Sequence, residues 1–350
     1  MNETGRSTVY NELYTPEKWE QVNRDNKDLL DDFLKYKKSS DKSPETIKQY
    51  YQMIRLFFCW NLDHNKNKFF VDIKKREFIN FFSYAVETLG WSSNRTATVK
   101  SSLSSLSNYI ENILDDEFEN YRNIISKIET AVKQPVRDKT VLTEEEVKTC
   151  LNKLIEHKKY QIACYFALAV ASGSRKAELL RFKTSYFDDD NIIFGSLYKT
   201  PEMIKTKGRT SQGKMLYKYT FAKMFKPYFD AWMEYRKERD IESEWLFVTK
   251  KDDGTYDQAS ISTANSWCET ISRYLEKPFY SHAARHRYVT MMKESKLPDE
   301  IIVELVGWQK GNGGAMISIY NDTDASDIFA EYFDENGIKT DIKQGSLSDF

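Results

Sequence analysis

Apolar residues recur at intervals of three and four along most of the first 130 residues, and this spacing predicts amphipathic helices. The first helix is indicated by Leu29, Leu30, Phe33 and Leu34. Ser43 followed by Pro44 predicts the start of a second, because serine caps helix N-termini and proline fits the first helical position. Further helices are predicted at residues 75–89, from residue 93 and at residues 118–132. We therefore expect an all-helical domain at residues 25–134, preceded by an N-terminal arm or a lead-in helix at residues 1–24.

A second domain is expected after residue 140. Pro135 lies among charged residues, so we predict a linker at residues 135–140. Thr143 with Glu146 three residues later predicts a capping box, a common start of a helix. Residues 160–172 are apolar nearly all round, which is typical of a helix at the centre of a core.

Short strands and further helices are predicted to complete this second domain. The predicted elements are strands at residues 192–194, 202–207 and 214–220 and helices at residues 221–238, 259–274 and 324–333. They place the domain at residues 141–336, with residues 337–350 as a flexible tail.

The composition is that of an ordinary soluble protein with a mildly basic body. Charged residues make up 30% and hydrophobic residues 40% of the 350 residues. The net charge is −1, but residues 321–350 hold eight acidic and two basic residues, so residues 1–320 carry +5. The four cysteines show no Cys-x-x-Cys spacing, which favours buried thiols over a zinc site or a disulfide framework. No signal peptide or membrane span is indicated, so we expect a cytoplasmic protein.

Three residues near the C-terminal end suggest chemistry on a phosphate ester. His282 and Arg285 are three apart, so on a helix they share one face and can point at one ligand. Arginine matches phosphate with two parallel hydrogen bonds, and histidine moves a proton near neutral pH. Tyr320 follows a glycine-rich break and offers a phenol as the nucleophile. Taken alone, a His-x-x-Arg spacing is more often an ordinary helix surface.

A second motif lies upstream, at Ala171-Ser-Gly-Ser-Arg175-Lys-Ala-Glu178-Leu-Leu-Arg181. Together with the C-terminal motif it resembles the tyrosine recombinase, or phage integrase, family over about residues 25–335. Five positions fall in the order of that family: Arg175, His282, Arg285, Trp308 and Tyr320. Ala284 stands where the family usually has leucine, and Trp308 where histidine is commoner. Neither removes a required group, since the indole N–H can donate to a phosphate oxygen.

The resemblance implies a mainly α fold with a small antiparallel β-sheet (α+β), in which an N-terminal helical SAM-like core-binding domain precedes a catalytic domain. It implies that Arg175 and Arg285 clamp the phosphate, that Trp308 adds a donor and that Tyr320 attacks. His282 would assist removal of the phenol proton, and Glu178 would orient groups in the site. A lysine between the second and third strands would protonate the leaving oxygen. We choose Lys207, with Lys205 as its rival.

The resemblance also implies the partners. The expected partner is double-stranded DNA carrying recombination sites, processed through a Holliday junction by a homotetramer that assembles on DNA through the C-terminal helix. An accessory DNA-bending or excision factor is a further expected partner, and neither a metal nor another cofactor is expected. DNA contacts are expected from Arg95, Thr96, Thr98, Lys100 and Arg209. A helix face rich in serine and threonine is, however, also typical of an ordinary solvated surface.

Three alternatives stay open from the sequence. A type IB topoisomerase would use the same chemistry without strand exchange. A DNA-binding regulator with a retired active site would lack the nucleophile or an arginine, whereas this sequence keeps them all. A helical interaction protein would make the phosphate-binding set a coincidence. The short N-terminal lead favours a mobile-element integrase over a protein with a large arm-binding domain.

Overall fold

The computed structural model describes residues 13–130, 140–208, 212–308, 317, 333–334 and 337–338. The chain divides into two compact units, the first formed mainly by Ser7–Asp138 together with Lys207–Gly213 and the second mainly by Lys139–Thr206 and Lys214–Phe350. Each unit is built around its own cluster of buried apolar side chains. None of the helices in the described residues combines the length and apolarity that crossing a bilayer requires.

Helices form the first unit. They are α1 (Pro16–Gln21), α2 (Arg24–Ser39), α3 (Pro44–His64), α4 (Lys75–Glu87) and α5 (Ser93–Ile113). The predicted start of α3 is confirmed, because the Ser43 hydroxyl accepts the backbone N–H of Thr46 at 3.3 Å and Pro44 occupies the first helical position. Aromatic rings fill the core; Phe57, for example, stacks on Phe78 with 5.0 Å between ring centroids.

The prediction of a helix at residues 118–132 is wrong for the described part, since residues 118–130 form short turns and irregular backbone. Asn123 accounts for the difference. Its side-chain oxygen accepts the backbone N–H groups of Ile125 and Ser126 at 3.0 and 3.1 Å, and its side-chain amide donates to the Ser104 carbonyl at 3.1 Å. Such side-chain bonds give the backbone an alternative to the helical hydrogen-bond pattern.

The second unit is helical with short strands. Its helices are α6 (Glu144–Glu156), α7 (Tyr160–Ser172), α8 (Lys176–Leu179), α9 (Ala222–Glu238), α10 (Ile261–Leu275), α11 (Ser281–Glu294) and α12 (Asp299–Val306). The capping box predicted at Thr143 and Glu146 is present at the start of α6. Helix α7 is buried at every residue from 163 to 172, which confirms its predicted central position.

The strands are short and all of their pairings are antiparallel. They are β1 (Ile192–Ile193), β2 (Leu197–Lys199), β3 (Ile204–Thr206), β4 (Lys214–Leu216), β5 (Tyr219–Phe221), β6 (Val248–Lys250), β7 (Tyr256–Gln258), β8 (Phe333–Asp334) and β9 (Gly337–Ile338). Strands β1, β2 and β5 form one sheet, and the others pair as β3 with β4, β6 with β7 and β8 with β9. The expected mainly α fold with a small antiparallel β-sheet is confirmed, although β2, β6, β7, β8 and β9 were not predicted.

The C-terminal predictions fall largely outside the described residues. Residues 324–332 of the predicted C-terminal helix are not among them, and Phe333 lies in β8. Strand β9 lies at the point where the sequence predicts the start of a flexible tail.

Candidate active site

The upstream motif is positioned by the end of α7. Gly173 ends this helix with a φ of 56°, and Arg175 then becomes the N-cap residue of the short helix α8. An added Cβ at Gly173 would lie 2.4 Å from Cδ1 of Tyr288, a residue of α11. Because both the backbone conformation and the close approach require glycine, this position fixes α7 against α11. It thereby brings the two sequence motifs together.

Arg285 joins the motifs directly. Its side chain is buried, with 1% exposed, and its Nη1 donates to the carbonyl of Gly173 at 2.7 Å. Its Nη2 donates to the carbonyl of Val306 at 3.2 Å, and its Cζ lies 5.4 Å from the ring centroid of Trp308. Trp308 is buried as well. The structure therefore gathers the upstream glycine, the second arginine and the tryptophan in one place.

Arg175 is held by a carboxylate one turn away. Its Nη1 lies 2.8 Å from Oε1 of Glu178, and its backbone N–H donates to Oε2 at 3.1 Å. The Glu178 side chain is 2% exposed, whereas that of Arg175 is 28% exposed. The partly exposed side chain of Arg175 can therefore reach a ligand, while the buried carboxylate of Glu178 holds the guanidinium in place.

Lys218, in the two-residue link between β4 and β5, completes the cluster and was not predicted from the sequence. Its Nζ lies 2.8 Å from Oε2 of Glu178, and both side chains are 2% exposed. A signal was present: in the predicted strand at 214–220, alternation places Lys218 on the same face as Leu216, which is apolar. A lone lysine beside two tyrosines did not point to chemistry by itself.

The charges in this cluster decide the protonation states. Burial alone raises the pKa of Glu178, but Lys218 and then Arg175 outweigh it, and the pKa falls to about 2. Burial lowers the pKa of Lys218, Glu178 opposes this shift, and Arg285 and Arg175 add to it. With Glu178 ionised among three cationic side chains, the cluster carries an excess of positive charge, which suits an anionic ligand.

His282 lies in the first turn of α11 and is exposed. Partial desolvation, followed by the positive charges of Arg285 and Arg175, lowers its pKa below the usual 6.5. The imidazole is therefore mainly neutral at pH 7 and able to accept a proton.

The two lysine candidates stay exposed. Lys207 directly follows β3, and Lys205 lies within β3, where its backbone carbonyl accepts Nη1 of Arg181 at 2.7 Å. The choice of Lys207 over Lys205 as a proton donor remains a prediction. Tyr320 and Arg209 lie outside the described residues.

The DNA contacts predicted on α5 are only partly accessible. Thr96 is 2% exposed and its hydroxyl donates to the Ser92 carbonyl at 3.1 Å, so Thr96 is corrected from a phosphate contact to a buried residue. The Thr98 hydroxyl donates to the Asn94 carbonyl at 2.8 Å and is half-buried. The Arg95 guanidinium lies over the Trp91 ring at 4.6 Å. Lys100 is half-buried on the same helix.

Among the residues that the structure describes, no three His, Cys, Asp or Glu side chains are grouped as metal ligands would be. The partly exposed Arg175 can bind an anion, the buried Arg285 adds positive charge to the same cluster, and His282 can accept a proton. This arrangement is suited to an ester whose non-bridging oxygens are negative.

Comparison with known proteins gives two family matches. The sequence model of the phage integrase family matches residues 140–326, and that of the phage integrase N-terminal SAM-like domain matches residues 29–120. The SPbeta prophage-derived recombinase-like protein YomM of Bacillus subtilis (strain 168) is 30% identical over 296 residues, which cover 83% of this chain and 85% of that protein.

Solved structures of similar fold include DNA complexes. The post-cleavage complex of the XerH site-specific recombinase with palindromic difH substrate has a TM-score of 0.61 at 17% identity, covering 92% of this chain and 90% of that one. A lambda integrase tetramer bound to a Holliday junction has a TM-score of 0.56 at 13% identity, covering 84% and 76%. At these identities the likeness concerns the fold.

Proposed function

The chain belongs to the phage integrase family of tyrosine recombinases, and we propose that it cuts and rejoins DNA at specific sites by linking Tyr320 to a 3′-phosphate. The observation that supports this most strongly is the burial of Arg285 against Gly173, which puts both arginines of the motifs in one cluster. Residues 25–134 then serve to hold DNA, and residues 141–336 carry the chemistry.

The arginines stabilise charge that develops on the phosphate. A phosphodiester resists attack because its non-bridging oxygens are negative, and preorganised donors lower that barrier. Arg175 reaches the ligand from a partly exposed position, and Arg285 supplies a buried positive charge. Trp308 adds an indole donor to the same oxygens.

The reaction is a transfer between two oxygens. The phenol oxygen of Tyr320 forms a bond to phosphorus while the bond from phosphorus to the 5′-oxygen breaks. The phenol proton passes to His282, whose neutral form is favoured by its neighbours. Lys207 gives a proton to the departing 5′-oxygen. Because the phosphotyrosyl bond conserves the ester, a 5′-hydroxyl from a second duplex can reverse the step without ATP.

The assembly is proposed from the relatives. The lambda integrase structure contains a tetramer on a Holliday junction, and the XerH structure is a post-cleavage complex. We extend both to this chain: four copies act on double-stranded recombination sites, exchange strands through a Holliday junction and make contact through the C-terminal helix. The prophage origin of the Bacillus relative supports a mobile-element integrase, and an accessory bending or excision factor would set the direction of the reaction.

The proposal is tested with a nicked duplex carrying the candidate attachment site, incubated in EDTA and resolved on a denaturing gel. We expect a protein–DNA band in the wild type and none in Tyr320→Phe. Adding a second duplex should convert the bound strand into a hybrid product and a four-way junction. Relaxation of supercoiled DNA without any hybrid product would instead favour a topoisomerase. Tight binding with no covalent band would contradict the proposed chemistry.

A further inference from the structure

We infer that Lys218 is a positioning residue for Arg175 and acts through the carboxylate of Glu178. This inference rests on the proposed function, since it concerns how the phosphate clamp is kept in place. Lys218 belongs to neither of the two sequence motifs, and its part in the site follows only from the contacts of its side chain.

The geometry is a three-part ionic chain. One oxygen of Glu178 lies 2.8 Å from Nη1 of Arg175, and the other lies 2.8 Å from Nζ of Lys218. The second oxygen also accepts the backbone N–H of Arg175 at 3.1 Å. A carboxylate held at both oxygens has little freedom to turn, so it presents one fixed orientation to the guanidinium.

Lys218 itself is fixed from its backbone. Its N–H donates to the hydroxyl of Thr200 at 3.1 Å, and its carbonyl accepts the N–H of Thr200 at 3.0 Å. Thr200 is buried with it. The Nζ of Lys218 is engaged by Glu178 within the cluster and does not extend outward as the Arg175 side chain does, and this ion pair favours a supporting role over direct contact with DNA.

Charge explains why a lysine is needed. Glu178 is buried, and a buried carboxylate with too few partners takes up a proton. Three cationic groups face this part of the cluster, namely Lys218, Arg175 and Arg285. Of the cations acting on Glu178, Lys218 opposes the effect of burial most strongly. Without it, the pKa of Glu178 rises and the ionic hold on Arg175 weakens as pH falls.

Loss of the ionic contact between Glu178 and Arg175 slows formation of the covalent complex, because the Arg175 guanidinium must be in position before the reaction. A small misplacement of a group that stabilises the transition state slows reactions by up to about a hundredfold. We therefore expect Lys218→Met to form the covalent complex between about tenfold and a hundredfold more slowly than wild type, with DNA affinity little changed.

The test measures the rate of covalent complex formation from about pH 5 to pH 8. It compares the wild type, Lys218→Met, Glu178→Gln and the double variant. The rate of Lys218→Met relative to wild type should fall as pH falls. Protonation of Glu178 slows the variant in addition to any pH dependence that it shares with the wild type. The double variant has no carboxylate to titrate, so it should lose this extra dependence and match Glu178→Gln. Lys226→Met, which removes a half-buried lysine 3.3 Å from Asp189, is the matched control and should behave as wild type.

Each outcome decides a different point. A flat ratio across pH, or a double variant slower than Glu178→Gln, would overturn the role of Lys218 through Glu178. If Lys218→Met does not fold, the comparison of the double variant with Glu178→Gln still decides, because both lack the buried anion. A wild type that forms no covalent complex at all contradicts the proposed function, and the inference then falls with it.

Discussion

The Nη1 atom of Arg285 lies 2.7 Å from the backbone carbonyl of Gly173, a residue 112 positions earlier in the chain. This contact joins the end of α7 to the second turn of α11. It depends on Gly173 in two ways, since glycine adopts the positive φ of this turn readily and leaves room for Tyr288. The position of the phosphate clamp is thus set by a backbone feature.

Gly173→Ala is expected to destabilise the second unit by about 2–5 kcal/mol. The positive φ contributes about 1–2 kcal/mol of strain, and overlap with the Tyr288 ring adds about 1–3 kcal/mol. The thermal unfolding midpoint reports the loss.

Gly254→Ala is the control for this prediction. Gly254 also has a positive φ, 88°, but nothing lies within 4 Å of an added Cβ. Gly254→Ala should therefore be destabilised by backbone strain alone, without a contribution from overlap with a neighbouring side chain. Equal shifts in the two variants would mean that the approach to Tyr288 is not tight.

Arg285→Lys should reduce covalent complex formation by about a hundredfold to a thousandfold while leaving DNA affinity within a few-fold. Lysine keeps the charge, but it lacks the planar fork that donates to Gly173 and Val306 together. The measurement is the single-turnover rate on a nicked duplex. Arg287→Lys, on the same helix and paired with Glu294 at 2.9 Å, is the control and should react normally. Equal losses in the two variants would point to general damage to α11.

Local signals predicted most helices of this chain, because their ends are decided by nearby residues. Ser43 with Pro44 and Thr143 with Glu146 set the starts of α3 and α6 whatever surrounds them. The prediction of a helix at residues 118–130 was wrong because the side chain of Asn123 bonds to Ser104, which is distant in sequence. The spacing of apolar residues does not indicate such a bond.

Cleavage should lose rate as pH falls through a midpoint below 6.5. His282 accepts a proton only when neutral, and desolvation together with Arg285 and Arg175 lowers its pKa, so the neutral form persists to lower pH. His282→Gln should be slower by about a hundredfold and should lack this acid limb. The check is the pH profile of covalent complex formation. A wild-type midpoint above 6.5, or an unchanged limb in His282→Gln, would assign the proton transfer to another group.

Measurements of DNA affinity should show which of the residues predicted on α5 contact DNA. Lys100→Ala is expected to weaken binding and to reduce the slope of log affinity against log salt by about one, because one phosphate contact is lost. Thr96→Val should leave both unchanged, since Thr96 is buried and bonded to Ser92. Binding titrations at several salt concentrations provide the comparison. A larger effect from Thr96 than from Lys100 would contradict the placement of the contact.

The candidate site was predictable only as far as it rests on motifs. Arg175, His282 and Arg285 follow from spacing and resemblance, and the structure brings them to one region of the second unit. Lys218 does not follow in this way, because its role depends on burial, on Thr200 and on an ion pair with Glu178. The sequence predicts a strand over residues 214–220 but does not single out Lys218, and only the folded chain shows what its side chain contacts.

The central claim is that Tyr320 becomes joined to DNA, and peptide mapping tests it most directly. The covalent complex is formed on a nicked duplex in EDTA, trimmed with nuclease and digested with protease. Mass spectrometry then identifies the peptide that carries the remaining nucleotide. We expect a 3′-phosphate ester on Tyr320. A nucleotide on any other residue, or an adduct that persists in Tyr320→Phe, would contradict it.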